Sequence, residues 1–398
     1  MKQSLRGCPI CDSVEAEILH TQRFVLPEGH PLADGYDVVG CARCGFVYAD
    51  TAVTQSDYDR FYAQFSKYED EKAGTGGGEK PRDVRRLQTS AKQIAGFLQD
   101  ISARILDIGC ANGGLLRALQ ELGFHNLCGV DPSPVCVENV RQIGIEAYSG
   151  SLFQPLTVRH FDCVILSHVL EHIRNPKQAL QSIFRYSDHK CCVYIEVPDA
   201  SRYADYLFSP FQDFNTEHIN HFSKSGLAKL MQSAGFIEGE LGEKIIESSP
   251  NMPYPALYGF WVKSNQSSLA FTLERDDQLV ATIKKYISKS RAIMDGIEAK
   301  LQQTLTGAPQ VIVWGTGQLA LKLLAETSLA KAQIAAFVDG NLINQGKVLR
   351  GVPILAPKQI RGLPHPIVVT TILHQREIAD QIRRMGLLND IVLLGKIA

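Results

Sequence analysis

An alternation of short apolar strands with helical patterns, from Arg104 to about residue 245, constrains the fold of this chain more than any other feature. The strands are nearly continuous apolar runs, at residues 105–108, 127–130, 161–166 and 192–197. Such runs are typical of strands that are buried on both faces of a parallel sheet. Because parallel neighbours need crossover connections, the pattern predicts right-handed βαβ units and a central, doubly wound sheet of the α/β class.

Two CxxC pairs near the N-terminus predict a zinc-binding β module. Cys8 and Cys11 form the first pair, Cys41 and Cys44 form the second, and 29 residues separate the pairs. Four thiolates on two tight turns suit tetrahedral zinc and leave it no open position, so the zinc should be structural. The alternative is four unrelated buried cysteines. The other six cysteines lie in apolar surroundings and are expected to be reduced core thiols.

The composition and the N-terminus predict a cytoplasmic protein. Lys and Arg number 41 and Asp and Glu number 42, so the formal net charge of -1 supplies no general attraction for nucleic acid or an anionic membrane. No apolar run reaches the roughly 18 residues of a membrane span, and the first seven residues lack the apolar core of a secretion signal. We therefore expect no nucleic-acid partner and no membrane partner. The oligomeric state stays open.

A second strand–turn–helix pattern lies near the C-terminus. The strand at 311–314 leads into Gly315-Thr316-Gly317, and further strands are expected at 334–338 and 367–371. This pattern predicts a C-terminal Rossmann-like domain. The predicted organisation is the zinc-binding module, the central domain with an N-terminal helical lid, a linker with a long helix, and the C-terminal domain, over residues 1–55, 56–245, 246–305 and 306–398.

A glycine turn after the first strand of the central sheet indicates a nucleotide site. Asp107-Ile108-Gly109-Cys110-Ala111-Asn112-Gly113 joins that strand to a helix, and its glycines let a ligand approach the backbone and the helix N-terminus. Asp131 lies 22 residues after Gly109, at the end of the next strand. A carboxylate there can accept hydrogen bonds from both ribose hydroxyls. The acid before the first glycine, and glycines four residues apart, distinguish this turn from the dinucleotide pattern GxGxxG.

These motifs resemble those of class I S-adenosylmethionine methyltransferases, whose first motif typically reads DxGxxxG. The resemblance extends along residues 104–240, and it implies a methyltransferase domain over residues 56–245 with S-adenosylmethionine as the cofactor. It implies cofactor contacts at the glycine turn, the ribose carboxylate, the adenine flank and the methionine side, which are Asp107, Gly109, Cys110, Gly113, Asp131, Ser151, Leu152, Ser167 and His168. The alternative is a Rossmann sheet without a ligand.

The segment Asn215-Thr216-Glu217-His218-Ile219-Asn220-His221 holds the candidates for acceptor chemistry. A carbon acceptor next to a ketone needs a base that removes the α-proton and a group that stabilises the enolate oxygen. Histidine titrates near neutrality, and a neighbouring carboxylate could orient it or raise its basicity. The alternative is a polar surface loop.

The whole layout resembles the nucleotide-sugar C-methyltransferases, such as the TDP-sugar C-3'-methyltransferases of deoxysugar pathways. The resemblance implies that His218 is the base, that Glu217 positions the substrate or the base, and that His172 and Tyr68 supply hydrogen bonds. Asn215 stands where that family often has a tyrosine, and an expected Gly-Gly-Ser turn after the central domain is absent from the sequence. The implied substrate is a nucleotide-linked 4-keto sugar. The alternatives are another acceptor for O- or N-methylation, RNA, or a nucleotide-sensing scaffold without activity.

The C-terminal turn Gly315-Thr316-Gly317-Gln318-Leu319-Ala320 fits the pattern GxGxxA, and Asp339 lies 22 residues after Gly317. By itself this is a dinucleotide fingerprint. The same geometry would hold the nucleotide diphosphate of a substrate, which is the role of this domain in the resembling family. Bound NAD and a packing domain without a ligand are the alternatives.

Overall fold

A computed structural model describes residues 1–64, 81–153, 160–249, 252–264, 273–308 and 310–395. The chain forms two compact units. The first unit consists of Met1–Ile18, Val39–Tyr206 and Glu217–Thr282, and the second of Leu19–Val38, Leu207–Thr216 and Ile283–Ala398. No helix within the described ranges combines the length and the apolar character that crossing a bilayer requires.

The strands and helices are numbered along the chain. The strands are β1 (Lys2–Gln3), β2 (Glu15–Arg23), β3 (Gly35–Cys41), β4 (Val47–Asp50), β5 (Ile105–Ile108), β6 (Leu127–Asp131), β7 (Glu146–Ser149), β8 (Phe161–Ser167), β9 (Ser187–Pro198), β10 (Asn220–His221), β11 (Phe236–Ser249), β12 (Met252–Lys263), β13 (Gln310–Trp314), β14 (Gln333–Val338), β15 (Val348–Leu349), β16 (Val352–Leu355), β17 (Ile367–Val369) and β18 (Ile391–Leu393). The helices are α1 (Gln55–Gln64), α2 (Pro81–Leu98), α3 (Gly114–Glu121), α4 (Pro134–Gln142), α5 (Pro176–Ile183), α6 (Lys224–Ser233), α7 (Asp277–Gly307), α8 (Gln318–Glu326) and α9 (Gln375–Arg384).

The central sheet has seven strands in the order β11-β12-β9-β8-β5-β6-β7. Strands β5 to β9 pair in parallel, whereas β12 is antiparallel to both β9 and β11. Leu106 and Ile108 face one hydrophobic cluster, and Ile105 and Cys163 face the other, so both faces are buried as the apolar runs predict. The order reverses between β5 and β8, and ligands of open α/β sheets bind at the carboxyl ends of strands at such a point.

The predicted linker is wrong at its start, because residues 246–249 and 252–263 belong to strands of the central sheet. A linker is predicted from residue 246, but Ile246 continues β11, and the following strand, β12, pairs with β9 inside the central sheet. The side chains of Leu257 and Trp261 are buried in the core on one face of this sheet. The long helix predicted after the linker is present as α7.

The C-terminal sheet has six strands in the order β15-β16-β14-β13-β17-β18. All its pairs are parallel except the short hairpin of β15 and β16. Without β15, the order read in sequence is 3-2-1-4-5, which is the Rossmann order. The fold class is therefore confirmed, with a doubly wound central sheet and a Rossmann-like C-terminal domain.

The N-terminal sheet has five strands in the order β1-β2-β3-β4-β10. Its first four strands contain or flank the two CxxC turns, as the zinc-module prediction requires. The fifth strand comes from the distant residues Asn220–His221, and β10 runs antiparallel to β4. This pairing brings the segment that the sequence analysis identifies as catalytic to the edge of the zinc-binding sheet.

Candidate active site

The turn after β5 depends on two glycines. Gly109 has a φ of 78°, and a Cβ built on it would lie 2.7 Å from Cγ2 of Val169. Gly113 has a φ of 77°, and its Cβ would lie 2.9 Å from Cγ2 of Val140. Both positions therefore combine a left-handed backbone with close approach, which favours glycine. The contact with Val169 also places the turn against the segment that follows β8.

Asp131 closes β6 and connects this turn to the next one. One carboxylate oxygen accepts the backbone N–H of Ala111 at 2.9 Å, and the other accepts that of Ser133 at 2.9 Å. Burial raises the pKa of Asp131 to about 6, although these two hydrogen bonds favour its charged form. Burial, with the nearby charge of Asp131, raises the pKa of Asp107 to about 7. A carboxylate held in this way retains lone pairs for two vicinal hydroxyls.

The other predicted cofactor residues lie on loops and strand ends of the same unit. The side chains of Cys110 and Leu152 are buried in the two hydrophobic clusters of the central sheet, at 5% and 3% exposure. Ser151 donates a long hydrogen bond of 3.5 Å to Asp59 of α1. Ser167 ends β8 and is half-buried.

His168 is clamped between two buried carboxylates. Its Nδ1 lies 3.1 Å from Oε1 of Glu171, and its Nε2 lies 3.1 Å from Oε1 of Glu196. Burial opposes a charge on the ring, but the two carboxylates outweigh it and raise the pKa of His168. Glu196 also accepts a hydrogen bond from Lys244 at 2.5 Å. The network fixes the left-handed backbone of His168, whose φ is 56°, at the start of the turn that carries His172.

His172 and His218 are neighbours. Their ring centroids lie 4.9 Å apart with the planes at 69°. Because a carbonyl oxygen can only accept, the 3.0 Å contact between Nδ1 of His172 and the backbone oxygen of Glu217 assigns a proton to Nδ1. The hydroxyl of Tyr62 donates to Oε2 of Glu217 at 3.3 Å, and its ring lies edge-on to His172 at 5.7 Å. The structure therefore brings together three predicted residues: His172, Glu217 and His218.

Tyr68 and Asn215 are the remaining predicted catalytic residues. Tyr68 lies outside the described residues. Asn215 belongs to the second unit, where its backbone oxygen accepts a hydrogen bond from the hydroxyl of Tyr36 at 2.8 Å.

Sequence reasoning missed Tyr62 and Glu171 as members of the cluster. Tyr62 lies on α1, within the aromatic segment that the resemblance singled out, and its hydroxyl reaches Glu217. Glu171 is 1% exposed and lies directly before His172. A carboxylate next to a candidate histidine in the sequence was the available signal.

The four predicted zinc ligands converge. Their sulfur atoms lie within 4.8 Å of one another, with Cys8 to Cys44 at 3.4 Å and Cys11 to Cys41 at 3.5 Å. Tetrahedral zinc with Zn–S bonds of about 2.3 Å requires sulfur separations of about 3.8 Å, so the arrangement fits the metal. Each turn is closed by the backbone N–H of the residue that follows its second cysteine: Asp12 donates to the oxygen of Cys8, and Gly45 donates to that of Cys41.

A second group of possible metal ligands lies in the histidine cluster. One atom each of Glu171, His172 and His218 lies within the same 4.8 Å limit. Nε2 of His172 is 4.0 Å from Oε1 of Glu171, which is too long for a hydrogen bond. The cluster could therefore hold a divalent cation or move a proton.

The C-terminal domain carries a turn like that of the central domain. Gly315 has a φ of 102°, and a Cβ on it would lie 2.8 Å from the hydroxyls of Thr370 and Thr371. Asp339, at the end of β14, accepts the backbone N–H groups of Thr316 at 3.1 Å and Asn341 at 2.8 Å. Asp131 accepts the corresponding two hydrogen bonds in the central domain, from the backbone N–H groups of Ala111 and Ser133.

Comparison with known proteins identifies the central domain. Residues 55–237 match the family model described as "Methyltransferase domain", and residues 307–393 match the model described as "C2185-like, N-terminal". The first match includes the glycine turn, Asp131 and the histidine cluster. The chain carries a class I, S-adenosylmethionine-dependent methyltransferase domain.

Two curated relatives match part of the chain. A tRNA U34 carboxymethyltransferase of Sulfurimonas denitrificans is 26% identical over 197 residues, which are 47% of this chain and 64% of that protein. A tRNA U34 carboxymethyltransferase of Idiomarina loihiensis is 30% identical over 103 residues, which are 23% of this chain and 32% of that protein. The chain thus spans less than two thirds of the length of either relative.

Solved structures of methyltransferases also match at low similarity. The 1,6-didemethyltoxoflavin-N1-methyltransferase of Burkholderia thailandensis is 14% identical, with a TM-score of 0.40, and the match covers 56% of this chain and 97% of that one. An S-adenosylmethionine-dependent methyltransferase of Methanosarcina mazei is 15% identical, with a TM-score of 0.37, over 44% of this chain and 98% of that one.

The pKa of Asp131 predicts how cofactor affinity depends on pH. We propose that ionised Asp131 accepts hydrogen bonds from the ribose hydroxyls of the cofactor, so the affinity for S-adenosylhomocysteine should be constant above pH 7. It should fall below about pH 6, by up to tenfold per pH unit, as the carboxylate is protonated. Asp131→Asn should weaken binding about 10- to 100-fold and remove this dependence, because a charged hydrogen-bond acceptor is lost.

Isothermal titration calorimetry from pH 5 to pH 8 measures this effect. The exposed Asp162 of β8 offers a matched control, since Asp162→Asn removes a carboxylate from the same sheet. Affinity of Asp131→Asn that still falls below pH 6 would assign the titration to another group.

Proposed function

We propose that the chain is a C-methyltransferase that acts next to the ketone of a nucleotide-linked 4-keto sugar. The observation that carries the proposal is the pair of adjacent imidazoles, His172 and His218, with Glu217 beside them. The segment from Ser167 to His172 reaches the glycine turn through Val169. General acid–base groups are thus present in the unit that holds the cofactor motifs, and methyl transfer to carbon requires them.

S-adenosylmethionine supplies an electrophilic methyl group when bound, and the turn after β5 and Asp131 would hold it. His218 takes the α-proton of the ketone, and the C–H electron pair forms the enolate. His172 in its imidazolium form donates Nδ1–H to the oxygen of Glu217, which leaves Nε2–H for the enolate oxygen. The bound cofactor would supply its methyl group to this carbon as the methyl–sulfur bond breaks, and His218 then releases its proton to solvent.

The experiment separates the proton step from methyl transfer. The protein is incubated in D₂O with S-adenosylhomocysteine and TDP-4-keto-6-deoxyglucose, and the hydrogens next to the ketone are followed by NMR. We expect enzyme-dependent hydrogen exchange at one carbon. When ¹³C-methyl-labelled S-adenosylmethionine replaces S-adenosylhomocysteine, we expect the labelled methyl group on the same carbon. Absence of exchange with TDP-, UDP- and GDP-linked keto sugars alike would contradict the proposal.

A divalent cation in the histidine cluster makes a different prediction for the same assay. A cation that coordinates His218 would occupy the lone pair that the base needs. If His218 acts as the base without a cation, α-hydrogen exchange should persist after treatment with a chelator that leaves one zinc per chain. Loss of exchange that added Mn²⁺ or Zn²⁺ restores would assign the cluster to a metal instead.

RNA methylation is the second candidate, because both curated relatives are tRNA U34 carboxymethyltransferases. The net charge of -1 gives it no general electrostatic support. The two candidates separate when labelled S-adenosylmethionine is offered with total tRNA or with keto-sugar nucleotides. Label in tRNA, with binding that weakens steeply as salt rises, would replace the sugar proposal.

We infer that the C-terminal domain holds the nucleotide part of the substrate. Gly315 and Asp339 form a cradle like that of Gly109 and Asp131, at the carboxyl ends of parallel strands. Thermal-shift measurements with S-adenosylhomocysteine present should show stabilisation by TDP, UDP or GDP, about 2.7 kcal/mol at a concentration 100 times the Kd. A shift with NAD, and none with the diphosphates, would assign a dinucleotide to this domain.

A further inference from the structure

The segment that carries Glu217 and His218 leads into β10, the edge strand of the zinc-binding sheet. Two residues after His218, β10 begins and pairs with β4, so that Asn220 lies opposite Tyr48. The backbone N–H of Ala49 also donates to the oxygen of Ile219 at 2.9 Å. Strand β4 begins three residues after the last zinc ligand, Cys44. A continuous backbone ladder therefore connects the second CxxC turn to the candidate base.

The side chain of Arg6 strengthens this connection from the other CxxC turn. Arg6 lies two residues before Cys8 and is only 5% exposed. Its Nη2 donates to the side-chain oxygen of Asn220 at 2.8 Å and to the backbone oxygen of Arg174 at 2.8 Å. A planar guanidinium with two such acceptors fixes both in direction as well as distance.

Asn220 passes this constraint to the turn that carries His172. Its amide nitrogen donates to the backbone oxygens of Leu170 at 2.8 Å and Ile173 at 2.7 Å, one on each side of Glu171-His172. Because Arg6 can only donate, it forces the amide oxygen of Asn220 toward itself and the amide nitrogen toward these carbonyls. In addition, the N–H of Ile219 donates to the oxygen of Glu171 at 2.8 Å.

The hydrophobic core joins the same parts of the chain. Cys8, Cys44, Phe46 and Tyr48 of the zinc module belong to one buried cluster with residues of the central sheet. The ring of Phe46 lies 5.3 Å from that of Phe222, which follows β10 by one residue. The zinc module is thus packed into the first unit at the place where the two histidines meet.

We propose that the zinc-binding sheet positions the histidine pair, with Arg6 and Asn220 as positioning residues. The two CxxC turns fix the positions of β4 and Arg6. These in turn fix the two chain segments that carry His218 and His172. The consequence for catalysis rests on the proposed function, whereas the order of the two segments can be measured without any substrate. Zinc at this site then stabilises the position of His218 as well as the fold of the zinc-binding module.

Hydrogen–deuterium exchange with mass spectrometry tests the proposal on the full chain with zinc bound. Arg6→Gln removes the forked donor, and Arg43→Gln makes the same change at an exposed position between Cys41 and Cys44. With zinc content equal in all samples, Arg6→Gln should speed exchange about tenfold in peptides that cover 170–173 and 217–222, which corresponds to one charged hydrogen bond. Arg43→Gln should leave both peptides unchanged.

Either of two exchange results would overturn the proposal. Exchange in these two peptides that matches the wild type in Arg6→Gln, or that rises equally throughout β5, β6 and β8, would show that Arg6 acts only on general stability. If Arg6→Gln does not fold, Arg6→Lys keeps the charge but offers no planar fork, and an increase in exchange confined to the same peptides is expected.

Activity gives a separate readout where a substrate is in hand. For Arg6→Gln, kcat should fall about tenfold or more while the Kd for S-adenosylhomocysteine stays within twofold, because the cofactor turn lies outside the hydrogen-bond set of Arg6. A pH–rate profile whose histidine limb is unchanged, with only the KM altered, would count against a positioning role. If no keto sugar is methylated, the proposed function fails while the exchange experiment still decides this inference.

Discussion

Replacing His218 with glutamine is expected to lower the rate of α-hydrogen exchange by 10²- to 10⁴-fold, the usual contribution of a positioned general base. Glutamine keeps the approximate size of the side chain but cannot accept and release a proton near neutral pH. The backbone oxygen of Glu217 accepts the Nδ1–H of His172 at 3.0 Å, so loss of the His218 imidazole should leave the enolate-stabilising group in place. Exchange is followed by NMR in D₂O, with S-adenosylhomocysteine in place of the methyl donor.

The matched control is His125→Gln. His125 is exposed on the loop between α3 and β6, so this change removes an imidazole without affecting the cluster. Both variants should bind S-adenosylhomocysteine with a Kd within twofold of the wild-type value, since neither touches Gly109 or Asp131. An exchange rate for His218→Gln within twofold of wild type would remove His218 from the role of base, and His172→Gln would then be the next variant to measure.

The conformation of the glycine turn after β5 could be predicted because its constraints are local. The glycines follow directly from the backbone that a strand–turn–helix junction requires, and Asp131 follows from strand spacing. The structure gives physical reasons for both, with Val169 against Gly109 and Val140 against Gly113. A short segment of sequence therefore contained nearly all the information needed for this part of the site.

The edge strand β10 could not be predicted in the same way. It has two residues, and its partner β4 lies more than 170 residues earlier in the chain. No periodicity can be recognised over two residues, so the pairing is decided by tertiary contacts of Asn220 and Phe222. The same limit explains the hairpin of β11 and β12, where Pro253 and Pro255 make the sequence resemble a linker although the strand lies inside the sheet.

The histidine cluster lies between these two cases. Motif resemblance identified His172 on one segment and Glu217 and His218 on another, and the structure brings these residues together. It did not identify Tyr62, because a tyrosine on a helix with a buried face looks like a core residue until its hydroxyl is seen to reach Glu217. Residues that act on a neighbour's carboxylate leave little trace in a single sequence.

The double variant Cys41→Ser/Cys44→Ser is expected to lose zinc and the fold of the N-terminal sheet. Structural zinc in small modules supplies about 10–16 kcal/mol of apparent folding free energy, comparable with the total stability of many domains, about 5–15 kcal/mol. Serine oxygens are poor zinc ligands, and two of the four sulfurs would be removed. Metal analysis should give one zinc per wild-type chain and less than about 0.1 per variant chain.

The control Cys128→Ser/Cys136→Ser changes two buried thiols of the central domain that lie outside the cluster. It should retain one zinc and lose stability only by the few kcal/mol that polar burial costs, about 1–3 per site. Wild-type protein that holds no zinc yet shows a cooperative transition for the N-terminal sheet would contradict the metal prediction. Because Cys44, Phe46 and Phe222 share one core, loss of the metal should also raise hydrogen exchange around His218. A variant without zinc that leaves that segment protected would separate the metal site from the histidine pair.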